Sequence, residues 1–157
     1  MKTIGVISDT HGMLRTSAMK ALQSVDAIIH AGDVGSGEVL RELRKIAPVF
    51  AVRGNMDGGQ WASSLPITEV AEIEGVHFYV LHDIATLDLE PSAAGMAVVV
   101  YGHSHKPYMR EKDGVLYLNP GSAGPRRFTL PICMAKIDMN GSGEKARLEV
   151  RFVNLEE

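Results

Sequence analysis

Residues 27–35 read Ala27-Ile28-Ile29-His30-Ala31-Gly32-Asp33-Val34-Gly35. A short apolar run closed by glycine is the pattern of a buried strand, and here a carboxylate follows at its carboxyl end. Working outward, the arrangement recurs on both sides. Upstream, Thr3 to Ser8 reads as a strand buried on both faces. It runs into Asp9-Thr10-His11-Gly12, where Gly12 lets the chain turn sharply. Between these strands Ala18, Met19, Ala21, Leu22 and Val25 fall at near-helical spacing, so a helix is expected over Thr16–Ser24. Downstream, Ser36 stands as an N-cap, and Val39, Leu40, Leu43 and Ile46 form one apolar helical face. Val49–Val52, after Pro48, is a third strand. It ends in Arg53-Gly54-Asn55-Met56-Asp57-Gly58-Gly59. Strand–helix–strand–helix–strand at this spacing implies parallel strands with right-handed crossovers, hence an α/β fold.

The second half changes character. Ile67–Glu74 and Val76–Leu81 read as strands joined at Glu74-Gly75, the second ending at His82-Asp83. A short helix is expected over Glu90–Ala94. Ala97–Tyr101 is then a β-branched apolar strand running into Gly102-His103-Ser104-His105. Tyr108–Lys112 and Val115–Leu118 flank Asp113-Gly114, a strong two-residue hairpin turn. After the tight loop Asn119-Pro120-Gly121-Ser122, a last hairpin pairs Ile132–Met139 with Ala146–Asn154. There Leu148, Val150 and Phe152 alternate with Arg147, Glu149 and Arg151.

Composition bounds what such a chain does. Its 157 residues, 45% hydrophobic and 22% charged, fit one globular domain over 1–157. A net charge of −3 gives no general attraction to nucleic acid or membrane. The lone Cys133 excludes an internal disulfide and a thiolate cluster. The opening residues meet Asp9 too soon for a signal-peptide core or a membrane span, so a cytoplasmic location is the default expectation.

Five expected strands end in metal-type ligands: Asp9 with His11, Asp33, Asn55, His82, and His103 with His105. Each fragment alone is commonplace. Together they occupy one topological position, outside the carboxyl ends of the strands, where open α/β sheets bind ligands. Side chains at i and i+2 share a side of an extended chain, so His103 and His105, and likewise Asp9 and His11, are expected to face one point. Mixed nitrogen and oxygen ligands suit Mn, Fe, Co, Ni or Zn better than Ca or Mg. Seven side chains exceed what one open catalytic metal takes. Shared between two, they make roughly four contacts each and leave room for water and substrate. Two divalent ions outweigh the carboxylates Asp9 and Asp33, so the spot attracts an anionic substrate.

Asp9-x-His11, Gly32-Asp33, Gly54-Asn55, His82 and Gly102-His103-x-His105 resemble, in order, the motifs of the calcineurin-like metallophosphoesterases, above all the small single-domain YfcE-like phosphodiesterase branch. The resemblance runs over nearly the whole chain. It implies a four-layer αββα sandwich of two mixed sheets facing each other. It implies that Asp9, His11, Asp33 and His105 hold one metal and Asp33, Asn55, His82 and His103 the other, with Asp33 bridging and manganese foremost among the candidates. It also implies hydrolysis of a small phosphodiester or phosphate ester by a metal-bridging hydroxide, with Asp33, Asn55 and His103 as catalytic residues. Many members carry a histidine directly after the motif asparagine; Met56 stands there in this chain and cannot donate a proton, which favours diesters or activated esters. Asp57 would serve as the acid only if it reaches the site. Asp83 follows His82 where the family usually has glycine, and is a candidate either to orient that histidine or to mark altered backbone geometry and a weaker second metal site.

The same fold also serves as a non-catalytic scaffold, as in the retromer subunit Vps29, but such proteins tend to lose ligand positions and this chain keeps all seven. A nuclease reading lacks a basic stripe or aromatic platform. A homo-oligomer is compatible with the apolar hairpin faces. Of the remaining residues, His30 reads as a hydrogen-bonded core histidine and His77 as structural or exposed. Trp61 is read as a loop anchor and Cys133 as core. Arg126 and Arg127 are candidates to contact phosphate.

Overall fold

The computed structural model describes residues 1–156. β1 (Lys2–Ile7), β2 (Ala27–His30) and β3 (Val49–Ala51) run parallel, as the helical crossovers α1 (Thr16–Ala21) and α2 (Gly37–Arg44) require. β9 (Cys133–Asn140) joins β1 antiparallel on its other side, and β10 (Arg147–Asn154) forms the edge beyond it, giving the order β10-β9-β1-β2-β3. The second sheet is built from β4 (Thr68–Ile73), β5 (Val76–Leu81), β6 (Val98–Val100), β7 (Tyr108–Lys112) and β8 (Val115–Asn119), in the order β4-β5-β6-β8-β7. It too is mixed, because β5, β6 and β8 are mutually parallel while the two hairpin partners are antiparallel.

The side-chain alternation of the strands sets the layers. Ile4 and Val6 of β1, Ile29 of β2, and Ile137 and Met139 of β9 pack against Phe78, Val80, Val98, Val100 and Leu118 of the second sheet. Ile7, Ile28 and Met134 face the other way, onto Ala18, Leu22, Val39, Leu40 and Leu43 of the helical layer. The outer face of the second sheet, Tyr79, Leu81, Val99 and Val115, is covered by Ile84, Leu87, Leu89 and Met96. That fourth layer is irregular chain with a 3-10 turn at Ile84–Thr86, not an α-helix.

Three local expectations are corrected. The Glu90–Ala94 stretch is a turn. Only a few residues separate Pro91 from Gly95, and so short a segment cannot offset the cost of helix nucleation. Helix α1 stops at Ala21, with Leu22 already its C-cap. Ser36 occupies the N-cap of α2, but its side chain makes no capping bond. The hairpin turns are as expected: Glu74-Gly75 and Asp113-Gly114 both adopt left-handed φ at each residue. Among the described residues no helix is long and apolar enough to cross a membrane.

Candidate metal centre

The loops that leave β1, β2, β3, β5 and β6 at their carboxyl ends are laced together by backbone hydrogen bonds. Asp9 N–H donates to the Gly32 carbonyl (3.0 Å), His11 N–H to Asp33 (2.9 Å) and Gly12 N–H to Val34 (2.8 Å). Gly102 N–H donates to the His82 carbonyl at 3.0 Å, joining the two loops of the second sheet. The sheets meet where His103 N–H donates to Asp9 Oδ2 (3.2 Å). Two motif glycines permit these approaches. A Cβ on Gly54 would fall 2.1 Å from Asp33 N, and one on Gly102 would fall 2.1 Å from Ser8 Oγ and 2.6 Å from Asp9 Oδ2.

All seven expected side chains converge in two groups. Asp9, His11 and His105 offer ligand atoms within 4.8 Å of one another, and so do Asp33, His82 and His103. Asn55 joins the second group, its Oδ1 lying 3.1 Å from His103 Nδ1. Asp33 Oδ2 lies 3.2 Å from His82 Nε2 and 3.8 Å from His11 Nε2, so this one oxygen faces both groups. The other oxygen, Oδ1, accepts from Met56 N–H at 2.8 Å, which fixes the carboxylate's orientation. Asp9, Asp33, His82 and His105 are buried, while Asn55 and His103 stand at the exposed mouth.

Convergence does not come from the extended geometry expected of i and i+2 pairs. Asp9 (φ 55°), His11 (48°), Asp33 (54°), His103 (70°) and His105 (63°) all lie in the left-handed region. Each loop coils as it leaves its strand, and the side chains meet through that coil. Such strain persists only where surrounding structure imposes it, and here the inter-loop hydrogen bonds do so.

The electrostatics favour a cation. Burial alone would raise the Asp9 carboxyl, but His105, Ser8 and His82 beside it hold it below the ordinary carboxylate range. Asp33 is likewise lowered against the effect of burial, by His82 and the Met56 N–H. Burial depresses His82 and the neighbouring Asp33 and Asp9 more than reverse this, so its pKa is raised. Asp9 Oδ1 is buried and has no hydrogen-bond partner, although His105 Nε2 lies 3.3 Å away and His11 and His82 Nε2 lie 3.8 and 3.9 Å away. An anionic oxygen without a donor is costly to bury. Ringed by imidazole nitrogens, it fits a divalent cation.

Several supporting residues carried no sequence signal. Ser8 donates its hydroxyl to Asp9 Oδ2 at 2.7 Å. His82 Nδ1 meets the Ala31 carbonyl at 2.8 Å and must therefore carry the proton, leaving Nε2 free toward Asp33. Asp83 does not orient His82; its Oδ1 accepts from Ala85 N–H (3.0 Å) and caps the 3-10 turn. Asp57 is turned toward the backbone of two loops. Its buried carboxylate accepts from Val34 N–H (3.1 Å), Gly35 N–H (2.9 Å) and Gly54 N–H (2.9 Å), tying the Asp33 loop to the Asn55 loop. Asn119 donates to the Gly102 carbonyl and to Ser104 Oγ, both at 3.1 Å, which turns Ser104 away from the two histidines.

The other residues fall as expected or outside the site. His30 is core: its Nδ1 accepts from Gly32 N–H, and its Nε2 lies 3.0 Å from Thr10 Oγ1. His77 lies at the surface, 3.6 Å from Glu72. Trp61 packs against the helix-side core. Cys133 is buried, and burial pushes its thiol up to about 11. Arg126 is tied to Glu156 and the Leu130 carbonyl. A cleft of about 710 Å³ lies away from this centre, at the opposite ends of the strands, near Val76, Ala97 and Val115.

Two facing mixed sheets that carry aspartates, histidines and one asparagine on their converging loops define a metallophosphoesterase fold with a candidate divalent-metal site. Residues 1–142 match the model of the calcineurin-like phosphoesterase superfamily domain, and the chain belongs to that family. It is 37% identical over 160 residues to a probable metallophosphoesterase of Methanothermobacter thermautotrophicus, covering 94% of this chain and 90% of that one. The solved structure of an archaeal protein described as a novel phosphodiesterase superposes with a TM-score of 0.75 at 27% identity, over 96% of this chain and 99% of the other. Vps29 of Chaetomium thermophilum shares the fold, with a TM-score of 0.78 at 20% identity over 98% and 99% of the two chains.

Proposed function

We propose that this protein is a phosphodiesterase working at a two-metal centre, with Asp9, His11, Asp33 and His105 around one ion and Asp33, Asn55, His82 and His103 around the other. The observation that carries this reading is the position of Asp33 Oδ2, which lies 3.2 Å from His82 in its own group and faces His11 of the other at 3.8 Å. The donor set of imidazole, carboxylate and amide oxygen suits manganese, nickel, cobalt, iron or zinc, and the family resemblance puts manganese foremost among them. Two such ions, when bound, would make water acidic enough to attack at neutral pH and would neutralise charge at phosphorus.

The chain's own groups do the rest. Asp9 and Asp33, held ionised by their histidine neighbours, keep the site's anionic charge fixed and dry. Asn55 turns its Oδ1 toward His103, which leaves its amide N–H groups free to donate to a phosphoryl oxygen. His103 is exposed at the same mouth and contacts the substrate from the other side. Met56 is 69% exposed at the rim and cannot supply a proton to a leaving group. With Asp57 sequestered by three backbone N–H groups, the chain favours substrates whose leaving group departs without a strong acid. That is the case for activated phosphodiesters, and less so for alkyl monoesters.

The Vps29 likeness supports a second reading, a scaffold without turnover. The complete ligand set around a buried, unpartnered Asp9 Oδ1 favours the first reading. One experiment separates the readings. Chelated protein is titrated with Mn²⁺ and assayed on an aryl phosphodiester, beside Asp33→Asn. Two bound ions, metal-restored turnover, and an inactive but folded variant are expected. Fewer than two ions with no ester hydrolysed would establish the scaffold.

A further inference from the structure

We propose that the free edge of β10 is a homodimer interface at which two copies pair antiparallel about Val150. β10 is the longest edge strand of the molecule, eight residues against three in β3, six in β4 and five in β7. Long edges invite pairing unless proline, a bulge or like charge blunts them, and β10 has no proline and an unbroken register with β9 from Arg147 to Asn154.

The register identifies which backbone groups are free. Asn154 is opposite Cys133, and the next pair is joined by Leu155 N–H to the Ile132 carbonyl at 2.9 Å. In an antiparallel ladder, bonded and non-bonded pairs alternate. The odd residues of β10 therefore spend their N–H and C=O groups on β9, while Leu148, Val150, Phe152 and Asn154 project theirs outward.

The occupant follows from the side chains. A partner that continues the sheet must match apolar to apolar on the inner face, because a one-residue slip reverses the faces. A two-fold axis through Val150 sets Val150 on Val150 and Leu148 on Phe152. It also sets Glu149 on Arg151 twice, once on each side of the axis. These charged pairs fall at non-hydrogen-bonded positions, where side chains come closest. An axis through Glu149 would oppose Glu149 to itself and Arg147 to Arg151. β10 is thus complementary to a second copy of itself in one register. The edge β4 behaves in the opposite way, since its charges, Glu69 and Glu72, are both acidic.

Apolar surface lies along the same edge. Phe152 is 41% exposed and Met109, on the neighbouring edge strand β7, is 47% exposed. The 710 Å³ cleft between the sheets runs past Met109, Leu148 and Val150. An axis normal to the sheet brings the two β7 edges to the same side, so dimerisation covers both residues.

The test is sedimentation equilibrium on the full chain at micromolar to 100 µM concentration. Wild type is expected at twice the 17.0 kDa chain mass. Glu149→Arg places a second guanidinium opposite Arg151 at both symmetric positions and should raise the dimer dissociation constant about 100-fold, from roughly ten-fold per pair. Glu149→Arg combined with Arg151→Glu restores the pairing in swapped form and should restore the dimer. Both side chains are exposed; Arg151→Glu gives up the Arg151 Nε bond to Asp138 Oδ2 (3.2 Å), which the arginine introduced at 149, opposite Asp138 in the β9 register, is placed to replace, and a cooperative thermal transition verifies folding. A monomeric wild type, a Glu149→Arg dimer of unchanged affinity, or a double swap that stays monomeric would each overturn the proposal.

Discussion

Removing the Asp57 carboxylate tests the construction of the site more directly than removing any ligand. Both of its oxygens are taken up by the backbone N–H groups of Val34, Gly35 and Gly54. Asp57→Ala leaves these three donors facing a void. An orphaned buried donor costs about 1–3 kcal/mol, and partial hydration offsets some of it, so a total loss of about 4 kcal/mol is expected. Asp57→Asn keeps the volume and one acceptor but turns an N–H toward an N–H, for a loss of about 2 kcal/mol. With a urea slope of about 2 kcal/mol/M, the midpoints should fall by about 2 M and about 1 M. Trp61, the single tryptophan, packs on the helix-side core and reports the transition in chelated protein. Because the bonds hold the Asp33 loop against the Asn55 loop, Mn²⁺ affinity should fall in both variants, while the pH profile of turnover keeps its shape. Wild-type midpoints in both variants would refute the tie. Loss of one limb of the pH profile at unchanged metal affinity would make Asp57 an acid after all.

Three further outcomes follow from other residues. His103→Ala and His105→Ala should each retain one Mn²⁺ site and lose the other, read by calorimetric titration; loss of both sites in either variant contradicts the two-group assignment. Burial holds His30 down to about 4, against about 6.5 in an unfolded chain. The unfolded state therefore takes up a proton below pH 6.5 that the folded state refuses. Stability from neutral His30 is complete above pH 6.5 and falls by roughly 3 kcal/mol as pH drops to 4. Urea midpoints of wild type should decline more steeply over that window than those of His30→Gln, and parallel declines would count against it. Finally, Cys133 has its thiol pushed up to about 11 and donates to the Pro120 carbonyl, so a thiol reagent at pH 8 should label it only in urea. Rapid labelling of the folded protein would show that the burial is wrong.

Strands were the legible part of this fold. β1, β2, β5 and β6 are nearly continuous apolar runs, because both faces are covered by the layers on either side. The site was legible for a topological reason: every candidate ligand follows the carboxyl end of one of these strands or, for Asn55, of β3. What escaped is of two kinds. Backbone conformation is one, since Asp9-x-His11 and His103-x-His105 look like strand extensions, yet all four residues are left-handed. Asp and His adopt that state more often than most other residues, but their identity alone does not say where they do so. The other is the set of groups that bond to backbone atoms. Asp57 and Ser8 are commonplace residues, and their partners are N–H groups and a carboxylate brought close only by folding. Asp83 shows the converse error: adjacency to His82 suggested a contact, but its nearest donor was two residues along its own chain. Glu90–Ala94 had helical composition without the length to nucleate.

The left-handed backbone at Asp9, His11, Asp33, His103 and His105 has an evolutionary corollary. At about 1 kcal/mol each, these residues carry strain of about 5 kcal/mol, comparable to the whole margin by which an ordinary domain stays folded. Glycine at any of them would relax the chain and delete a side chain from the centre in the same step. Selection for heat tolerance alone would therefore erode this centre before it touched the core. At these five positions a relaxed backbone and a complete set of side chains exclude one another.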